Sequence, residues 1–270
     1  MRTPEMQALA RRIWSRASHC HIGDLAWQHN QHTGTAWPVR VWRDSKKVIA
    51  WARGDGELLV DPEYPAAADE AVAYLGGVPV EVLDAETHVI AALERAGYVR
   101  DDGPHHSVFM SRSLDDLPEP VLPPGFTVHP AMDVERRVDV HRAAWHPSKV
   151  TVESYKQVMA AWPYRRDLDW VVEAPDGRYA AYCLVWLDET NAVGELEPVG
   201  TDPSLRRRGL ATAACLAAMH ALRGLGAREA VVYPVANHPN GAIHLYEHLG
   251  FTPYARTFRF TAPDASGGSR

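Results

Sequence analysis

The chain has 270 residues, 46% of them hydrophobic and 23% charged, and a formal net charge of −6. That is the composition of a globular protein, long enough for one large domain or two of ordinary size. The acidic balance argues against a nucleic-acid partner, and no run of about 18 apolar residues is present to span a membrane.

The opening stretch, MRTPEMQALARRIWSRAS, spaces Met6, Leu9 and Ile13 as a helix does and lacks the apolar run of a secretion signal. It reads as the first helix of the fold. Cys20, Cys183 and Cys215 are odd in number and far apart, which suits a reduced, cytoplasmic setting. His19 and His21, followed by His29 and His32, match no recognised ligand spacing, so no metal is expected. Trp14, Trp27, Trp37, Trp42 and Trp51 crowd the first half. Core is the simpler reading for them, and a domain interface or cleft wall the alternative. VIAWARGDGELLVDPEY reads as a hairpin running into a strand that ends at Asp61-Pro62. The stretch 113–126, SLDDLPEPVLPPGF, has the prolines and acids of a linker. It divides the chain into 1–112, a linker over 113–125, and 126–262, with a disordered tail at 263–270.

Beyond the linker, Val134 to Trp145 and Val152 to Trp162 carry apolar residues at helical spacing. DWVVEA and YAAYCLVWL read as strands around the turn PDGR, and NAVGELEPVGTD as a third. GLATAACLAAMHALRGLG reads as a long helix closed by glycine, EAVVYPV as a buried strand, NGAIHLYEHLG as a helix and YARTFRFTA as a last strand. The order implies an α/β (α+β) fold with a mixed, mostly antiparallel sheet flanked by helices. The first half repeats it weakly: AALERAGYV aligns with HLYEHLGFT, and Asp61-Pro62 with Asp202-Pro203. Two tandem copies are therefore expected.

The loop PSLRRRGLAT follows the third of these strands. A helix starting at Gly209 presents unpaired N–H groups and the positive end of its dipole, which suits phosphate. Gly209 permits close backbone approach, Ala211 leaves the first turn open, and Arg206, Arg207 and Arg208 add charge-assisted contacts.

Arg206-x-x-Gly209-x-Ala211 resembles the pyrophosphate loop of the GNAT-type acyl-CoA N-acyltransferases, and NGAIHLYEHLGF is similar to that family's second signature. The 37 residues from Gly209 to Tyr246 leave room for helix, strand and helix. The resemblance implies two tandem GNAT-like domains, the first degenerate and not binding CoA, because YPAAADE stands where the second has LRRRGLA. It implies acetyl-CoA as co-substrate, held by Val199, Gly200, Thr201, Arg206, Arg207, Arg208, Gly209, Leu210, Ala211 and Thr212, with Asn240 as a further contact and Asn237 as its rival. Asn240 sits six residues before Tyr246, where the family commonly has seven.

Tyr246 falls at the family's general-acid position. An ammonium must lose a proton before it can attack a thioester. Glu197, or else Glu195 on the same strand, is the expected base, and strand alternation places both, with Val199 and Thr201, on one face. The implied reaction moves an acetyl group to a primary amine of a small molecule, in a monomer or homodimer with no nucleic-acid or membrane partner. The acidic chain suits a polycation such as an aminoglycoside-type antibiotic. A metabolite amine, as in enzymes resembling mycothiol synthase, a protein or peptide amine, and a non-catalytic acyl-CoA sensor are the alternatives.

Overall fold

The computed structural model describes residues 3–33, 38–101, 103–104, 106–239 and 241–262. The expectations for Trp37, Asn240 and the tail 263–270 lie outside these residues. The first half opens with α1 (Thr3–Ile13) and α2 (Ile22–Asn30). Helix α1 buries Met6 and Leu9 of the predicted stripe together with Ala10, and Ile13, its last residue, packs half-buried against the same cluster. Strands β1 (Val39–Asp44), β2 (Lys47–Arg53) and β3 (Leu58–Val60) form a small antiparallel sheet. Then come α3 (Ala67–Leu75), β4 (Val80–Leu83), α4 (Thr87–Arg95), β5 (Val99–Asp101) and β6 (Val108–Ser113).

The proline-rich stretch is irregular up to β7 (Thr127–Pro130). The second half continues with α5 (Val134–Ala144), α6 (Val152–Ala160), β8 (Asp169–Glu173), β9 (Tyr179–Asp188) and β10 (Val193–Thr201). It closes with α7 (Leu210–Gly224), β11 (Glu229–Val232), α8 (Ala242–His248) and β12 (Thr252–Thr261). The mostly antiparallel sheet and flanking helices expected from the sequence are present, and β10 to β11 is its parallel step.

The halves share strands. The large sheet runs β4-β12-β6-β11-β10-β9-β8-β7, with β5 also on β12. Strand β6, from the first half, lies between β11 and β12. Strand β12 pairs with β6 through its first residues and with β4 and β5 through its last. Each half thus lends the other a strand, an exchange that depends on partners more than a hundred residues apart and has no local signal.

Strand β9 is buried along its whole length, as a near-continuous apolar run between two layers demands. Helix α7 covers one face with Ala213, Ala214 and Ala218. It packs so close that a Cβ on Gly194 would meet Leu222 at 2.4 Å. On the other face, Arg137 of α5 is fully buried and donates from Nε to Asp169 Oδ1 at 2.8 Å. Tyr155 donates to Asp169 Oδ2 at 2.5 Å, and the guanidinium lies 3.7 Å from the Tyr182 ring centroid. The pair clamps α5 and α6 to β8 and β9. Because Asp169→Asn leaves the Arg137 charge buried without its counter-ion, it should destabilise the protein by about 3–5 kcal/mol. Denaturant titration of the purified variant checks this.

Candidate active site

The site forms where β10 stops pairing. Leu196 faces Val185 and Val199 faces Cys183, so β10 carries one extra residue between these pairs, a β-bulge at Glu197 and Pro198. On its other side β10 pairs with β11 over Val193, Gly194 and Glu195 alone. Past Glu195 the strands part, and the outward backbone groups of Val199, Gly200 and Thr201 have no strand partner among the described residues. An amide-containing chain can add there as a further strand.

The bulge also corrects the expected alternation. Val199 and Thr201 pair with Cys183 and Ala181 and share the face of Leu196, whereas Glu195 pairs with Trp186 on the opposite face. Alternation fails because one inserted residue inverts every later side chain. Gly200 has a packing role: a Cβ there would lie 2.7 Å from the Tyr182 hydroxyl and 2.8 Å from Ala144 Cβ.

After Thr201 the chain makes a short turn, with Ser204 N–H donating to Asp202 Oδ1 at 2.8 Å. Arg206, Arg207 and Arg208 are exposed. Gly209 is the N-cap of α7 at φ 77°, with no side chain to satisfy the first helical N–H groups at Leu210, Ala211 and Thr212. Nothing lies within 4 Å of where its Cβ would project. An open helix start beside three arginines fits a pyrophosphate.

The matching turn in the first half has the same framework without the cradle. Glu63 N–H donates to Asp61 Oδ1 at 3.0 Å, as Ser204 does to Asp202. The N-cap of α3 is Ala66 at φ −64°, and Asp69 and Glu70 occupy its first turn. Negative charge there opposes a phosphate. Leu93, at the position matching Tyr246, is core.

Tyr246 on α8 is 6% exposed and packs edge-on to Phe251 with centroids 5.7 Å apart. Its hydroxyl makes no hydrogen bond to the described residues. Burial, then the nearby Cys215, Cys183 and Glu197, push its pKa well above the usual phenol value. It is held as a neutral donor.

Glu197 lines a cavity of about 360 Å³ together with Trp27, His141, Trp145, Lys149 and Pro198. Burial raises its pKa well above the usual carboxylate range. Its carbonyl accepts from Trp186 Nε1 at 2.6 Å, which fixes the bulge. His141 stays neutral, lowered to about 3 mainly by burial, and its Nδ1 lies 2.8 Å from the Tyr182 hydroxyl.

Glu195 is elsewhere. It is 1% exposed, with Oε2 3.0 Å from Nδ1 of His21. The structure brings together the bulge, the open helix start, Tyr246 and Glu197, and encloses Glu195 behind them. Asn237 is exposed and turned to the carbonyl of Pro104 at 3.5 Å. Trp27, 3% exposed, sits between the halves and walls the cavity, so for this tryptophan the interface reading holds; Trp42 and Trp51 are core.

Sequence reasoning offered Trp27 as a cleft wall but missed Lys149 and, just past α2, Gln31 and His32. Only the docking of the two halves brings these into one cavity. Nearer the first sheet, Cys20, Asp24 and Glu57 bring donor atoms within 4.8 Å of one another. Arg53 is already paired with Glu57 there.

The chain is similar to known acetyltransferases. Residues 137–251 match the Acetyltransferase (GNAT) family. A mycothiol acetyltransferase from Rhodococcus erythropolis is 29% identical over 72% of this chain and 71% of its own length. One from Kineococcus radiotolerans is 30% identical over 77% of this chain and 72% of its own. Others of that description match over about half their length, 54% and 52% in two cases. Among solved structures, a tandem GNAT protein from the clavulanic acid biosynthesis pathway superposes with a TM-score of 0.61 at 18% identity, covering 96% of this chain and 94% of that one. At that identity the likeness concerns the fold.

Gly209→Val tests the loop. A left-handed φ costs a residue with a Cβ roughly 1–2 kcal/mol, and the branched side chain also enters the phosphate space. Calorimetry should show CoA affinity reduced by about tenfold or more. Ala66→Val, at the matching helix start of the first half, should leave that affinity as it is.

Proposed function

Since this chain belongs to the GNAT acetyltransferase family, and so is an acetyl-CoA-dependent acyltransferase, we propose that it acetylates a primary amine of a small molecule at the split between β10 and β11. One observation carries the reading. Glu197 stands at the bulge where the strands part and also lines the cavity that α2 and the loop after α5 close. A base is thereby set between the two substrates.

Acetyl-CoA supplies an activated thioester. The exposed strand edge at 199–201 takes its amide-bearing arm, and the N–H groups at 210–212 with Arg206, Arg207 and Arg208 take its pyrophosphate. Glu197 accepts the ammonium proton so that the nitrogen lone pair can attack. Its burial makes it a stronger base than a free carboxylate. Tyr246, held neutral, donates its proton to the departing thiolate. The first half lacks the glycine cap, the arginines and the tyrosine, so one CoA per chain is expected.

For the acceptor, Glu197 is the one carboxylate among the described lining residues, and Lys149 stands at the exposed mouth. An aminoglycoside-type polycation gains from the acidity of the whole chain, but this cavity sets a lysine against a single acid. It favours an acceptor with one amine. The acceptor of the mycothiol acetyltransferases is the first candidate, ahead of an aminoglycoside or a peptide. A panel pairing monoamines of that kind with aminoglycosides and peptides, assayed by CoA release, decides it; faster turnover of a polycation would overturn this choice.

Acid and base separate by pH. Tyr246→Phe should lower turnover by roughly 10²–10⁴ at every pH. Glu197→Gln should fall most at neutral pH and recover as pH rises toward the amine's own pKa, where the acceptor arrives already neutral. In wild type, a base with a raised pKa loses activity as pH falls through that pKa. Steady-state profiles of the three proteins check this, and Glu197→Gln turning over at the wild-type rate at neutral pH would displace it as the base.

A further inference from the structure

His21 lies 174 residues before Glu195 and belongs to the other half of the chain, yet the two side chains meet with 0% and 2% of their surfaces exposed. Two hydrogen bonds converge on one ring nitrogen. His21 Nδ1 is the N-cap acceptor of α2, taking the Gly23 N–H at 3.1 Å. It also lies 3.0 Å from Glu195 Oε2. A nitrogen that accepts a backbone N–H presents its lone pair and carries no hydrogen. The two donors then share its one lone pair: the hydrogen in the contact with Glu195 belongs to the carboxyl group, and the ring's own hydrogen sits on the buried Nε2. The same carboxyl accepts the Asp24 backbone N–H.

We propose that His21 is a positioning residue that holds Glu195 as a neutral carboxylic acid, leaving Glu197 the one carboxylate of β10 that exchanges a proton in turnover. For its catalytic part this rests on Glu197 being the base.

The surroundings agree. Asp24 faces the pair from α2, Asp188 faces His21 from the end of β9, and Glu197 faces Glu195 along β10. Cys20, Tyr233 and Tyr254 are the other titratable groups close to Glu195. None of these is a cation. The nearest cations, Arg53 and His19, reach Asp24 and are already paired with Glu57 and Glu86, and two like charges two residues apart on one strand disfavour each other. Burial drives both partners to their neutral forms, Glu195 upward and His21 down to about 4. Neutralising Glu195 in this way spares Glu197 a fixed neighbouring charge, and the first half sets the protonation of the second half's catalytic strand.

Glu195→Gln is the direct test. Its amide can donate to His21 Nδ1 and accept from Asp24, as the protonated acid does. The infrared spectrum of the wild-type protein at neutral pH should contain a protonated-carboxyl band that Glu195→Gln removes. The acid limb of its kcat/KM profile should stay at the wild-type midpoint. Loss of a carboxylate band in its place, or a limb moved down by about one pH unit or more, would show Glu195 ionised and overturn the proposal. His21→Leu removes the acceptor and should move the limb to higher pH, and His21→Gln, whose carbonyl still accepts, should return it. Thermal melting tells a misfolded variant from a retitrated one. If His21→Leu does not fold, the spectrum of Glu195→Gln decides. The spectrum needs no substrate, so an absence of amine acetylation would refute the reading of Glu197 and leave the protonation of Glu195 separately answered.

Discussion

Strand β10 pairs with two neighbours of one sheet and keeps only one of them to its end. It stays bonded to β9 along its length and gives up β11 after Glu195. Backbone polar groups in a protein interior must be paired or face solvent, so a strand released from one neighbour offers a row of donors and acceptors to whatever enters. The inserted residue at 197–198 makes the release possible. It bends the strand away and turns Glu197 to the cavity, and the Trp186 indole fixes the Glu197 carbonyl. The open edge and the position of Glu197 follow from this one departure.

Around that split the two halves are interlocked. Strands β6 and β12 cross between them, α2 packs against α6 and β9, and Trp27 sits within a cluster that includes Val138, Tyr155 and Trp186. The first half keeps the turn geometry of the second at Asp61 and lacks its glycine helix cap. What remains of it acts through contacts. It supplies a wall of the cavity at Glu197 and the histidine that meets Glu195.

The electrostatics of the site are those of a low-dielectric chamber. Glu195, Glu197 and Tyr246 all lie where burial disfavours charge. A neutral phenol is a donor and a desolvated carboxylate is a strong base, so one environment suits both to the opposite roles proposed for them. Arg137 provides the contrast. Its charge is kept because Asp169 and two tyrosine rings lie against it, and it anchors α5, the helix whose His141 lines the cavity.

Much of this is legible in the chain because it is local. Helical spacing gives α5, α6 and α7; the apolar run gives β9; the glycine after three arginines gives the open start of α7; and Tyr246 is marked by its motif. Each depends on residues within a turn or two of one another, where periodicity and backbone preference act directly. The exchange of β6 and β12, the inversion of facing past Leu196, the cavity shared by Trp27 and Lys149, and the meeting of His21 with Glu195 are different. They join residues tens to hundreds of positions apart, and a bulge leaves no mark in composition. Sequence alternation offers Glu195 and Glu197 as equivalent carboxylates. Tertiary packing separates them, because a buried acid is governed by the groups brought against it, and those come from the other half of the chain.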